Sequence, residues 1–158
     1  MLKRVIVTLG VLLVAAGSAR AETSPYIGLG ADHATPHSGE AQSFGTIIAG
    51  ATFDVWPQAG LGAEVEVGQN IGSGDGRQTV RLRGIATYDF GAVTGVAALG
   101  MNHYSIDGDG FSGQTVGLGV QAQIRPNMTG RAEFLRDFDD SDFGTDVTTA
   151  RVAVFFNF

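Results

Sequence analysis

The sequence predicts an all-β chain: an eight-stranded antiparallel up-and-down transmembrane β-barrel after a cleaved signal peptide. Three observations predict it. The chain opens on a basic, then apolar, then small-residue segment. It continues in runs where apolar and polar residues alternate, and after residue 21 no apolar stretch is long enough for a membrane helix. It closes on Arg-Val-Ala-Val-Phe-Phe-Asn-Phe, with Ala150, Val152, Val154, Phe156 and Phe158 at every second position.

The opening segment reads as an export signal. Lys3 and Arg4 form a positive start, and Val5 to Ala16 is an apolar core too short to span a bilayer comfortably. Ala19-Arg20-Ala21 supplies the small residues at −3 and −1 that signal peptidase requires. Cleavage is expected after Ala21, giving a signal peptide over 1–21 and one outer-membrane β-barrel domain over 22–158. A membrane anchor is the rival reading, disfavoured by the short core and the lack of following stop-transfer charges. With no cysteine there is neither a lipobox nor a disulfide framework.

Charge narrows the partners. Residues 22–158 keep seven basic residues, all arginine, against sixteen acids, a net charge of −9. A chain so acidic and without lysine excludes nucleic acid as an expected partner. The 22 glycines of residues 22–158, their scattered aromatics and the absence of a long apolar run there suit insertion by strands.

Eight strand-like runs follow in order: 25–32, 43–55, 61–69, 78–89, 92–104, 114–125, 128–138 and 147–158. Long polar connections at 33–42, 70–77, 105–113 and 139–146 alternate with short ones at 56–60, 90–91 and 126–127. Four long loops at one end and three tight turns at the other make a meander barrel with both termini on the short-turn side. In the fourth run Val80, Leu82, Gly84, Ala86 and Tyr88 oppose Thr79, Arg81, Arg83, Ile85 and Thr87; in the third, Leu61, Ala63, Val65 and Val67 oppose Gly62, Glu64, Glu66 and Gly68. Period 2 sustained in this way means strands with two dissimilar faces. The fifth run is ambiguous, because Val, Ala and Leu fall on both parities.

Alternation alone leaves open which face points inward. A soluble ligand-binding barrel of lipocalin type would be apolar inside; a membrane barrel is the reverse. The polar face is built from Gly, Thr, Gln and a few Arg and Glu, which suits a narrow lumen better than a solvated exterior. Aromatic residues gather at run ends: Phe53 and Trp56, Tyr88 and Phe90, Phe156 and Phe158. That fits an interfacial girdle.

The leader, the eight runs and the Val-Ala-Val-Phe-Phe-Asn-Phe terminus together resemble the small outer-membrane β-barrel superfamily, the OmpA/OmpX-like and "porin family" proteins of Gram-negative bacteria. The resemblance covers residues 22–158 and rests on patterns rather than signature residues. It implies residence in the outer membrane of the cell envelope, among outer-membrane lipid and lipopolysaccharide. It also implies recognition by the barrel-assembly machinery, carried by Val154, Phe156 and Phe158. No peptidoglycan-binding domain of the OmpA type follows, so that anchoring role is not expected.

Charges on the polar faces form the main candidate site: Glu64, Glu66, Arg81, Arg83, Arg131, Glu133 and Arg151, expected in the middle to upper lumen. An eight-stranded barrel is just wide enough for its own side chains. Unpaired charge there is costly, so bidentate Arg–carboxylate pairs are expected, with Glu64 or Glu66 opposite Arg81 or Arg83. The cluster reads as a plug; the alternative is a gate in a small pore for ions or solutes.

The loops offer weaker candidates. Asp107 and Asp109 lie in one, and Asp137, Asp139, Asp140, Asp142 and Asp146 in or beside another. Such carboxylates suit Ca²⁺ or lipopolysaccharide-bridging cations, but EF-hand spacing is absent and a solvated acidic loop accounts for them. His33 and His37 alone make a weak metal pair. His103-Tyr104-Ser105 resembles the His-x-Ser motif of the lipid A 3-O-deacylases, which are also eight-stranded barrels. That resemblance implies Ser105 as nucleophile and His103 as base. The sequence departs from it: the family's orienting Glu follows the Ser closely, whereas here come Asp107 and Asp109, and the next Glu is Glu133. The expected function is therefore non-enzymatic and cofactor-free: a monomeric barrel serving envelope integrity or surface contact through acidic loops.

Overall fold

The computed structural model describes residues 23–37, 40–72, 76–106, 109–139 and 146–158. Eight strands run in sequence order: β1 Thr23–Pro36, β2 Gln42–Trp56, β3 Ala59–Asn70, β4 Gln78–Asp89, β5 Thr94–Ile106, β6 Asp109–Arg125, β7 Met128–Asp139 and β8 Val147–Asn157. Each pairs antiparallel with its sequence neighbour, and β1 with β8 closes the barrel. Closure leaves no strand edge unpaired, which is the condition for spanning hydrocarbon with strands.

The faces are inverted relative to a soluble protein. On β4, Thr79, Arg81, Arg83 and Ile85 are buried, while Val80, Leu82, Gly84 and Ala86 are exposed. The pattern repeats around the wall, so the polar parity fills the lumen and the apolar parity faces outward; Leu118 and Phe134 are each 70% exposed. The ambiguous fifth run is settled by burial: Val96, Ala98, Asn102 and Tyr104 point in, and Ala97, Leu99, Met101 and His103 point out.

The outer surface has two different borders. At the end holding the termini and short turns, Phe53, Trp56, Tyr88, Phe90 and Phe156 are exposed. At the long-loop end polar residues enter the outward face, His33, Gln69, Gln78, His103, Gln114, Arg136 and Thr148, with Ile71 and Phe138 exposed among them. Between them β4 runs from Val80 to Tyr88, about 27 Å of strand at roughly 3.4 Å per residue. Tilted as barrel strands are, that spans about 20 Å, close to the apolar band of ~25 Å expected for an outer-membrane barrel.

The short turns are built locally. Gly91 takes a φ of 96° in the β4–β5 turn, where its N–H donates to Asp89 Oδ1 at 2.7 Å. Register slips at Asp54/Trp56 and Gln123/Arg125 beside the other two turns. At the long-loop end several strands outrun their expected bounds. The connection expected at 105–113 is largely a continued hairpin, with Tyr104 opposite Phe111 and Ser105 opposite Gly110. Phe111 is strand-compatible, and the ladder runs on past the expected loop boundary in spite of Gly110 and Gly113.

The lumen needs small residues beside large ones. A Cβ at Gly50 would stand 2.7 Å from Tyr26 Oη, and one at Gly117 would stand 2.7 Å from Glu133 Oε1 and 2.8 Å from Leu135 Cδ2. These glycines are space for neighbouring side chains. Gly117→Val is expected to lower barrel stability by about 1–3 kcal/mol through overpacking. Urea unfolding in liposomes, followed by the fluorescence of Trp56, checks it, with outward Ala97→Val as a control that stays near wild type.

Candidate functional site

Alternation delivers nine charged side chains to one place. β1 supplies Asp32, β3 supplies Glu64 and Glu66, β4 supplies Arg81 and Arg83, β7 supplies Arg131, Glu133 and Asp137, and β8 supplies Arg151. All nine are buried at 5% exposure or less. Toward the terminal end they are closed off by Tyr26, Ile85, Ala98 and Phe155. Toward the long-loop end Thr46, Thr115 and Thr149 are buried, with Ala34, Phe44 and Val147 packed together.

Arg83 is the hub. Its Nη1 donates to Glu133 Oε1 at 2.6 Å and its Nη2 to Glu64 Oε2 at 2.5 Å. Its Nε lies 2.5 Å from Glu66 Oε1. Arg151 forks onto Asp32 at 2.7 and 2.7 Å and onto Glu66 at 2.8 and 2.9 Å. Arg81 spans the lumen to Asp137, 2.7 Å from Nη2 to Oδ2, and Tyr104 Oη donates to the same carboxylate. Arg131 donates to Glu64 Oε1 at 2.6 Å, and its guanidinium lies 4.3 Å from the Phe155 ring centroid. These are the charge-assisted, largely bidentate contacts that give arginine its geometric specificity.

Four guanidiniums face five carboxylates, an excess of one negative charge among the described lumen residues. Tyrosine hydroxyls offset it: Tyr26 donates to Glu64 at 2.7 Å and Tyr104 donates to Asp137. β4 and β7 are three strands apart around the wall and meet only across the lumen. The lattice therefore braces the barrel through its centre as well as along its wall.

All seven charges singled out in the sequence meet here, with register pairing Glu64 to Arg83 and Glu66 to Arg81. The Arg83–Glu64 contact is direct, while Arg81 Nη1 stands 3.6 Å from Glu66. They lie at mid-lumen, closed above and below. Sequence reasoning missed Asp32, Tyr26 and Tyr104, and assigned Asp137 to the acidic loop region. Asp137 is a lumen residue, and parity was the signal: it follows Arg131, Glu133 and Leu135 at two-residue steps.

The deacylase-like pair is not assembled. His103 points outward and its Nδ1 lies 2.9 Å from Ser112 Oγ across the β5–β6 ladder, not against Ser105. Glu133, the next Glu after Ser105, is on the lumen side of the wall. Asp107, Asp140 and Asp142 lie outside the described residues; Asp109 and Asp139 are placed at strand ends only as backbone. Among the described residues no group of three His, Asp or Glu side chains is arranged to hold a metal. His33 lies 3.5 Å from Ser43 Oγ, and the His37 amide donates to the Asp146 carbonyl.

Solved structures carry the same architecture. Ail, the attachment invasion locus protein of Yersinia pestis, superposes with a TM-score of 0.66 at 13% identity, covering 89% of this chain and 100% of that one. Ail has also been solved in complex with the heparin analogue sucrose octasulfate. Neisserial surface protein A gives 0.62 at 15% identity, covering 86% and 97%. The N-terminal β-barrel domain of Pseudomonas aeruginosa OprF gives 0.57 at 13%, covering 84% and 97%. No protein-family profile and no curated protein sequence matches the chain. The fold and its inverted faces are those of an integral outer-membrane barrel. Within that class it has the form of the small eight-stranded, OmpA/OmpX-like barrels.

Removing the hub leaves buried Glu133 without its hydrogen-bonded cation and takes one cation each from Glu64 and Glu66. Arg83→Ala is expected to cost about 3–5 kcal/mol, the range for breaking a buried ion pair on one side. Arg136→Ala, which breaks an exposed pair with Asp146, is expected to cost at most about 1 kcal/mol. Urea midpoints of the two variants in the same liposomes check the ranking.

Proposed function

We propose that this chain is a non-enzymatic outer-membrane barrel with a side-chain-plugged lumen, serving envelope integrity or surface contact through its acidic loop end. One observation carries the reading. Arg81 and Arg83 are 2% and 1% exposed, so almost no water-sized space touches the charges that fill the middle of the lumen. A conducting pore needs a wet path at that level.

Charge partition supports surface contact of a particular kind. Residues 22–158 outside the lumen cluster carry three arginines and eleven acids. An exterior so acidic repels polyanions, so the heparin-analogue complex of Ail does not carry over to this chain. Divalent cations bridging to lipopolysaccharide suit it better. During biogenesis, cleavage after Ala21 and recognition of Val154, Phe156 and Phe158 by the barrel-assembly machinery complete the reading, with a monomer as product. Support for that signal comes from β8, whose Phe156 faces outward at the terminal end.

Single-channel conductance of the refolded barrel in planar bilayers tests the plug. The wild type is expected to be silent, and Arg81→Ala/Arg83→Ala/Arg151→Ala unstable or newly leaky. Steady wild-type conductance with altered selectivity in the variant would establish a small pore instead. His103→Ala and Ser105→Ala are expected to leave the lipid A of expressing cells unchanged by mass spectrometry; a lost deacylated species would make the chain an enzyme.

A further inference from the structure

Seven of the eight strand pairings join neighbours in the chain, so a connection helps to set each register. The pairing of β1 with β8 has no connection. Asp32 and Arg151, which face each other across this seam, are 119 residues apart in the chain. Something other than a turn must decide how far the two strands slide before they pair. The outward face does not decide it. Ile27, Leu29 and Ala31 meet Phe156, Val154 and Val152, and in hydrocarbon one apolar neighbour is as good as another. Alternation rejects only odd slips, which would carry Asp32 or Arg151 into the lipid. A slip of two residues leaves every side chain on its proper side of the wall.

The inward face carries the discrimination. In the observed register Gly28 meets Phe155, Gly30 meets Ala153, Asp32 meets Arg151 and Ala34 meets Thr149. Slipping by two residues one way would set Arg151 opposite Gly30 and Phe155 opposite Tyr26. Slipping the other way would set Arg151 opposite Ala34 and Phe155 opposite Gly30. Phe155 needs a glycine across from it, since a Cβ at Gly28 would stand 2.6 Å from its Cε1. Its ring therefore rejects the first slip and tolerates the second, where Gly30 receives it. The ion pair rejects both. Arg151 Nε and Nη2 donate to the two Asp32 oxygens at 2.7 Å each, and both residues are 4% exposed or less. The same guanidinium is held from β3 by Glu66 at 2.8 and 2.9 Å, so its place in the lumen does not depend on β1. A slip would carry Asp32 about 7 Å along the seam from that fixed cation, at roughly 3.4 Å per residue.

We propose that Asp32 and Arg151 form the register lock of the β1–β8 seam. The pair selects one closure among those that alternation and lipid contact leave equal, and it alone rejects the slip that Gly30 makes room for. The inference rests on the closed barrel, not on the plug or the surface role. Its reach extends beyond the seam. Stagger at the closing pair is part of the shear of the whole barrel, so a two-residue slip there changes strand tilt and bore everywhere. Breaking the lock therefore costs register as well as stability. Asp137 provides the contrast. It is an equally buried carboxylate held by Arg81 across the lumen, but it stands on β7, outside the seam.

The chain has no cysteine, so engineered pairs on the outward face of the seam report register directly. Leu29→Cys/Val154→Cys samples the observed register. Ala31→Cys/Val154→Cys samples the slip in which Gly30 receives Phe155, and Leu29→Cys/Val152→Cys the opposite slip. A disulfide needs Cα atoms within about 7 Å, which directly opposed residues satisfy and diagonal ones barely do. Each pair is oxidised in the barrel refolded into liposomes, after heat-modifiable gel mobility has shown the variant to be folded. In an otherwise wild-type chain the first pair is expected to close and the other two to stay reduced. With Asp32→Asn, the Ala31/Val154 disulfide is expected to rise at least about tenfold relative to the native one, a small part of what breaking a buried pair costs. Asp32→Leu/Arg151→Met removes both charges, strands neither, and is expected to fold and slip in the same way. Asp137→Asn is expected to lose stability and keep register. Slipped disulfides in the wild-type background, native register in a folded Asp32→Asn or in the double variant, or equal slippage in Asp137→Asn would each overturn the lock. Failure of both seam variants to fold would overturn it too, because the pair would then be required for closure itself and not for its register.

Discussion

Arg83 holds Glu64, Glu66 and Glu133 at once, and the rest of the structure is arranged so that it can. The bilayer tolerates no unpaired backbone groups, so the sheet must close. Closing it with eight strands leaves an interior only as wide as its own side chains. Those side chains are polar because the apolar parity is claimed by lipid. A guanidinium in that position is tolerable only when carboxylates surround it; even Arg81 Nη1 and Arg83 Nε, which make no hydrogen bond, stand 3.6 and 2.5 Å from Glu66 oxygens. Glu64 accepts from Tyr26 and Arg131 as well as Arg83, and Glu66 is shared between Arg83 and Arg151. Such a lattice gives little net stability over an apolar filling, but it penalises every register in which one member is missing. Its main yield is a single way to close the barrel.

That arrangement consumes most of the positive charge available. Four of the seven arginines in residues 22–158 are inside, where they meet five acids. The exterior is acidic for the same reason that the lumen is nearly neutral. The acidity of the exterior is a consequence of the packing problem at the centre.

The fold was legible because period 2 is the one pattern that a barrel in lipid cannot blur: a one-residue slip would turn Arg81 and Arg83 into the hydrocarbon. The inward face was legible from its lysine-free, glycine-rich composition. The fifth run was not, since Val96 and Ala98 inside and Ala97 and Leu99 outside are all apolar, and only the neighbouring strands decide between them. The site was legible wherever a run had been drawn long enough. Asp137 was assigned to the loop region because it stands near other aspartates, although its parity joins it to Arg131 and Glu133. Asp32 ended its run and was passed over. The His-x-Ser pattern misled for a related reason. The β5–β6 ladder runs beyond the expected loop boundary, which sets Ser112 against His103 and leaves Ser105 two residues along the same face.

The two ends of the outer surface are unlike, and the difference follows from what each must meet. At the terminal end Trp56, Tyr88 and Phe90 present amphipathic rings, with Phe90 folded over Gly95 and 4.9 Å from Tyr88 between centroids. Rings of this kind tolerate a diffuse zwitterionic border and carry no charge preference. At the other end His, Gln, Ser, Thr and one Arg share the border with Phe138 and Ile71, so hydrogen-bonding groups enter there while the terminal end stays aromatic. The two borders therefore meet their surroundings by different chemistry, rings at one end and hydrogen-bonding side chains at the other.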